Sequence, residues 1–90
     1  MNLDDIRKEI DVIDKEILSL FIKRMECAEK IALIKEKENL PIVNEAREEE
    51  ILKNMAENAH DFKEETRELF SKIMDISKKV QIRKLETTKK

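Results

Sequence analysis

The sequence predicts an all-α fold: three helices per chain, the first very long, paired into an intertwined helical dimer. Three observations carry this expectation. Gly is absent and Pro41 is the only proline, so a single position in 90 residues strongly breaks a helix. Charged residues make up 44% of the chain, with Lys and Arg (19) nearly balancing Asp and Glu (21), the composition of helices laced with surface ion pairs. Lastly, a heptad that starts at Leu3 places Leu3, Ile6, Ile10, Ile13, Ile17, Leu20, Arg24, Cys27, Ile31 and Ile34 on one seam. Every member is apolar or a thiol except Arg24.

The first helix is expected over about residues 3–38. Asn2 or Asp4 can cap it, and Asp4 and Asp5 suit the positive end of its dipole. "ENLPIVN" ends it, because Pro41 biases Leu40 away from helical angles. Asn44 is a good N-cap for a second helix over 45–59. Asp61 with Glu64 reads as a capping box opening a third, over 62–84, with residues 86–90 a frayed tail. The whole of 1–90 reads as one domain, without internal repeats. A helix of about 36 residues is about 54 Å long, and two shorter helices cannot cover its apolar face. Pairing two such helices along their seams covers it, and the turn at Pro41 folds each chain back into a compact bundle.

Composition also excludes several functions. A net charge of −2, no Trp or Tyr and three Phe give neither a basic footprint nor a stacking platform for nucleic acid. No apolar run can span a bilayer, and "MNLDDIRKEI" is acidic where a signal peptide is basic. Cys27 stands alone, which suits a reducing cytoplasm, and its seam position predicts a buried thiol acting as a small hydrophobe. His60 has no partner at metal-ligand spacing and reads as a solvated side chain.

Polar residues recur on the apolar faces. Arg24 sits in the seam, and Lys35 shares its face eleven residues on. The second helix presents Glu48, Leu52, Met55 and Ala59. The third presents Leu69, Phe70, Ile73, Ile76 and Val80, with Ser77 and Gln81 projecting together beside them. Each polar residue has an ordinary explanation: Arg24 as a register-setting residue paired with Glu48, Lys35 snorkelling, Asn44 only a cap, Arg47 only a surface charge. Together they are costly to bury, and proteins accept that cost mainly at functional sites. The set is cationic, with neutral hydrogen-bonders and one carboxylate. It lacks a nucleophile–base pair, a Gly-rich phosphate loop and a metal cluster. Such a site takes a small anion, a carboxylate above all, and acts by positioning and electrostatics.

"IRKEIDVIDKEILSLFIKRMECAEKIALIK", "LPIVNEARE" and "LFSKIMDISKKVQ" resemble the all-helical class of chorismate mutase, over roughly residues 3–82. The resemblance rests on an Arg in "IR…ID", an Arg in "KR", a Lys eleven residues later, a P-x-x-[DN]-x-x-R-E turn and a late S-x-x-x-Q. It implies an isomerase that converts chorismate to prephenate on the shikimate route to phenylalanine and tyrosine. The step is pericyclic and implies no cofactor. By resemblance, Arg24 and the partner chain's Arg7 hold the two substrate carboxylates. Lys35 and Gln81 hydrogen-bond the ether oxygen, Glu48 accepts the ring hydroxyl, and Asn44, Arg47 and Ser77 make further contacts. Asn44 departs from the family, where Asp is common. Geometry separately favours sharing: Arg7 and Arg24 lie about 25 Å apart on one helix and cannot hold one small molecule in cis. Two other readings predict different partners: an isochorismate–pyruvate lyase of the same fold, against which Glu48 argues, and a non-catalytic helical dimerisation module, in which Arg24 pairs with a protein carboxylate.

Overall fold

The computed structural model describes residues 1–88. Three helices follow in order: α1 (Leu3–Lys37), α2 (Glu45–Glu57) and α3 (Lys63–Thr88). α1 and α2 each pack against α3.

Asn2 caps α1, its Oδ1 accepting from the Asp5 amide at 3.0 Å. The helix stops at Lys37 before Pro41 acts, and its end is built from backbone hydrogen bonds. Leu40 N–H reaches back to Lys35 O at 2.7 Å and Asn39 N–H to Glu36 O at 3.2 Å. This is a Schellman closure, which needs one left-handed residue. The chain has no Gly to supply it, and Asn39 takes the position at φ 57°. His60, exposed at φ 52°, is the left-handed residue in the turn between α2 and α3. α2 therefore ends at Glu57, two residues earlier than its pattern suggests. The expected Asp61–Glu64 capping box does not form. α3 starts at Lys63, and Phe62 O accepts its first helical bond, from Thr66 N at 2.9 Å. At the far end α3 continues through residues expected to fray, and the Thr87 and Thr88 hydroxyls donate to Lys84 O. Residues 89–90 of that expected tail lie outside the described residues.

The core is small. Ala28 and Ala32 of α1, Ala56 of α2, and Met74 and Val80 of α3 are its buried apolar members. Alanines at the contact allow helix backbones to approach closely, and they bury little area in doing so. The inward faces are rotated from the expected stripes. Ala56 is buried where Met55 is 37% exposed, and Met74, Ser77 and Gln81 lie deeper than Leu69, which is 56% exposed. Most of the heptad seam of α1 is left uncovered by α3. Leu3, Ile10, Ile13, Ile17, Leu20, Ile31 and Ile34 are all exposed. Cys27 is exposed with them, so it is not buried by its own chain.

The shape follows. The longest dimension, 54 Å, is close to the roughly 52 Å expected of the 35-residue α1, and the thinnest is 13 Å. The radius of gyration is 16.3 Å, against about 12 Å for a compact domain of this length. The chain exposes 7524 Å², against roughly 5,500 Å² for a compact monomer of 10.7 kDa. Among the described residues no helix is long and apolar enough to cross a membrane.

Candidate active site

All three helices line one cavity of about 280 Å³. α1 contributes Arg24, Cys27, Ala28, Ile31 and Lys35. The turn and α2 contribute Ile42, Asn44, Arg47, Glu48 and Ile51. α3 contributes Met74, Ser77, Lys78 and Gln81. Within each helix the lining residues recur every three or four positions, with one adjacent pair each (Cys27–Ala28, Arg47–Glu48, Ser77–Lys78), so one stripe per helix faces the space. Four cations and one carboxylate line it, in a chain whose net charge is −2. The site is a local positive field in an acidic protein.

Seven of the eight side chains singled out by the sequence line this cavity. The eighth, Arg7, is exposed on the first turns of α1 and lies outside it. Arg24 is half-buried, and among the described residues it makes no hydrogen bond or ion pair. Its supposed partner is engaged elsewhere: Glu48 Oε1 lies 3.0 Å from Lys78 Nζ. The Lys35 ammonium donates to Ile42 O at 2.7 Å, tying the end of α1 to the turn below. An ammonium has three protons, so this bond leaves two for a ligand. Asn44 Oδ1 accepts from Arg47 N at 3.1 Å and caps α2. Arg47 ion-pairs with Glu50 at the exposed rim.

Ser77 and Gln81 are more buried than a solvated edge would be, at 8% and 6% exposed. Gln81 Nε2 donates to Ser77 Oγ over a long 3.4 Å, and its Oε1 is buried without a partner. An orphaned buried polar atom costs about 1–3 kcal/mol and marks a site kept for something besides stability. Sequence reasoning missed Lys78. It lies one residue after Ser77 and three before Gln81, so the same periodicity contains it. With Lys79 beside it, the pair has the pattern of an ordinary charged face. Glu48 beside it, and secondarily Asp75 at 3.5 Å, raise the Lys78 pKa above its ordinary value of 10.5, hydrogen bonding to Glu48 being the largest cause. Among the described residues no three metal-ligating side chains cluster.

No solved structure matches the chain significantly. It is 49% identical over 53 residues to a protein of Aquifex aeolicus named bifunctional chorismate mutase/prephenate dehydratase, a stretch covering 59% of this chain and 15% of that protein. It is 41% identical over 46 residues to a T-protein of Haemophilus influenzae, covering 51% of this chain and 12% of that protein. The matched stretches are thus less than a sixth of either relative's length. The family model described as chorismate mutase type II matches residues 6–82, a span that holds the whole cavity lining, all of α2 and most of α1 and α3, and the chain belongs to that family.

Proposed function

We propose that the chain catalyses the rearrangement of chorismate to prephenate, as a homodimer in which each Arg7 completes the partner's site. Family membership supports the reaction class. The observation that carries the reading is Arg24: a half-buried guanidinium without a partner among the described residues, in a cavity with four cations and one carboxylate. A dianionic substrate supplies the missing charge. If Arg24 served only to set register, a protein carboxylate would compensate it, and the nearest candidate, Glu48, is held by Lys78.

The chemistry asks little of proton transfer. One C–O bond breaks as one C–C bond forms within the same molecule, so the protein must select the folded conformer and stabilise charge on the ether oxygen. Arg24 and the second chain's Arg7 hold the carboxylates. Lys35 directs its two spare protons at the ether oxygen. Gln81 Nε2, which directs one N–H at Ser77 Oγ, donates its other there too. Glu48 accepts the ring hydroxyl through the oxygen Lys78 leaves free, while Ser77 and Arg47 close the pocket. Asn44 acts through the helix it caps, so Asp in its place would perform the same task.

Dimerisation rests on surface. The exposed aliphatic seam of α1 and an excess of about 2,000 Å² over a compact monomer correspond to an obligate interface. An antiparallel pairing of two α1 helices also brings Arg7 of one chain toward Arg24 of the other across the roughly 25 Å that separates them in cis. A lone cysteine and the absence of a membrane-crossing helix among the described residues fit a cytoplasmic biosynthetic enzyme. Separate incubations with chorismate and with isochorismate, with product identification, test the reading. Prephenate is expected. Absence of turnover, or pyruvate released from isochorismate instead, would overturn it.

A further inference from the structure

Resting on the mutase reading, we propose that Lys78 is a positioning residue: it engages Glu48, the one carboxylate lining the cavity, and so leaves Arg24 free for the substrate. The Glu48–Lys78 pair joins α2 to α3 across 30 residues of sequence, at 3.0 Å. Both side chains are about three-quarters buried, at 26% and 28% exposed, so the contact is less screened than a surface ion pair. Asp75, one turn back on α3, holds the same ammonium at 3.5 Å from its exposed side. Lys78 is therefore anchored from its own helix and reaches across to Glu48.

Arg24 and Lys35 line the same space. A cavity of about 280 Å³ is roughly 8 Å across if taken as a sphere. Two flexible side chains of opposite charge can meet over that span. A Glu48 released from Lys78 would close onto Arg24, a half-buried cation without a partner among the described residues, and the protein would neutralise its own substrate anchor. The ion pair would have to break before each substrate carboxylate could bind. With Lys78 present, Glu48 keeps one oxygen on the ammonium and offers the other to the ring hydroxyl.

The test is a double-mutant cycle on the dimeric enzyme. Lys78→Met should raise the KM for chorismate about tenfold and lower kcat by less than about threefold, because a bound substrate has already displaced Glu48 from Arg24. Lys78→Arg should restore KM. In a Glu48→Gln background, which carries no carboxylate to release, Lys78→Met should leave KM nearly unchanged. An equal rise in KM in both backgrounds would overturn the proposal and make Lys78 only a general attraction for a dianion. Equal losses in kcat and melting temperature would overturn it in favour of a structural pair. A second readout needs no turnover. The Arg24 Nε–H resonance, assigned by its loss in Arg24→Leu, should gain protection from solvent exchange in ligand-free Lys78→Met, and not in the double variant. An unprotected resonance in both refutes the exchange of partners. A wild-type enzyme inactive on chorismate, with this protection observed, would instead refute the mutase reading alone.

Discussion

The two halves of α1 share one helix and one heptad pattern, yet they meet different surroundings. From Phe21 to Lys35 the helix turns Ala28 and Ala32 onto α3 and lends Arg24 and Lys35 to the cavity. From Arg7 to Leu20 every residue is exposed, among them Ile10, Ile13, Ile17 and Leu20. The covered half uses small residues and makes a close contact of little area. The uncovered half carries the large aliphatics, which gain most from burial, about 1.5–3 kcal/mol each. Hydrophobic amplitude along a helix therefore marks where burial is needed and not which chain provides it. Here the strongest stripe faces away from the chain's own bundle.

If the second copy covers the N-terminal half, a charge there should undo the enzyme. Ile13→Glu is expected to yield monomers by sedimentation equilibrium and to remove activity altogether, because a buried unpaired carboxylate costs several kcal/mol at an interface that meets its own copy. A dimer with normal turnover would show that the seam is ordinary exposed surface. In the other half, Lys35→Ala should lower kcat by about 10²–10³ with a much smaller change in substrate binding, since charge develops at the ether oxygen mainly in the transition state. Near-normal turnover would remove Lys35 from that role.

Arg24→Leu sharpens the contrast by making the C-terminal half as apolar as the N-terminal one. Activity should vanish, while the ligand-free melt stays level or rises by the equivalent of about 1–4 kcal/mol. An unfolded variant would make Arg24 structural. The smallest effect concerns alkaline pH. Glu48 raises the pKa of Lys78 in the folded chain, so the pair's contribution is fully present below the unfolded lysine value of 10.5. It is lost as pH rises through the higher folded value. Wild type should therefore lose melting temperature faster than Lys78→Met above about pH 10.5, and parallel curves would contradict the assignment of that proton.

Legibility from sequence divided along the same physical line. Local signals were readable: Asn2 and Asn44 cap the helices whose starts they predict, and the three helices occur in the expected order. Ends set by backbone geometry were less so. With no Gly available, the left-handed positions fell to Asn39 and His60, residue types that tolerate such angles but occur as readily elsewhere, and α3 opened without the Asp61–Glu64 box. In the cavity, Arg24, Lys35, Glu48, Ser77 and Gln81 stood out because each interrupts or borders an apolar stripe. Lys78 did not, because most of α3 is polar and a lysine there breaks no pattern. Its place depends on Glu48, 30 residues away, a pairing no periodicity encodes. Cys27 goes with the rest of the seam: it is exposed in its own chain, and the cover expected for it comes from a second helix.

The central claim is that one site is assembled from two chains, and mixed dimers test it most directly. Arg7→Ala and Arg24→Ala homodimers should each be nearly inactive. Refolded together at equal concentration, half the dimers are mixed. Each mixed dimer has one site with both arginines, Arg24 from the Arg7→Ala chain and Arg7 from the other, and one site with neither. Activity should recover to about a quarter of wild type if the sites act independently. No recovery, with mixed dimers demonstrated by native mass spectrometry, would mean that Arg7 does not reach the partner's cavity.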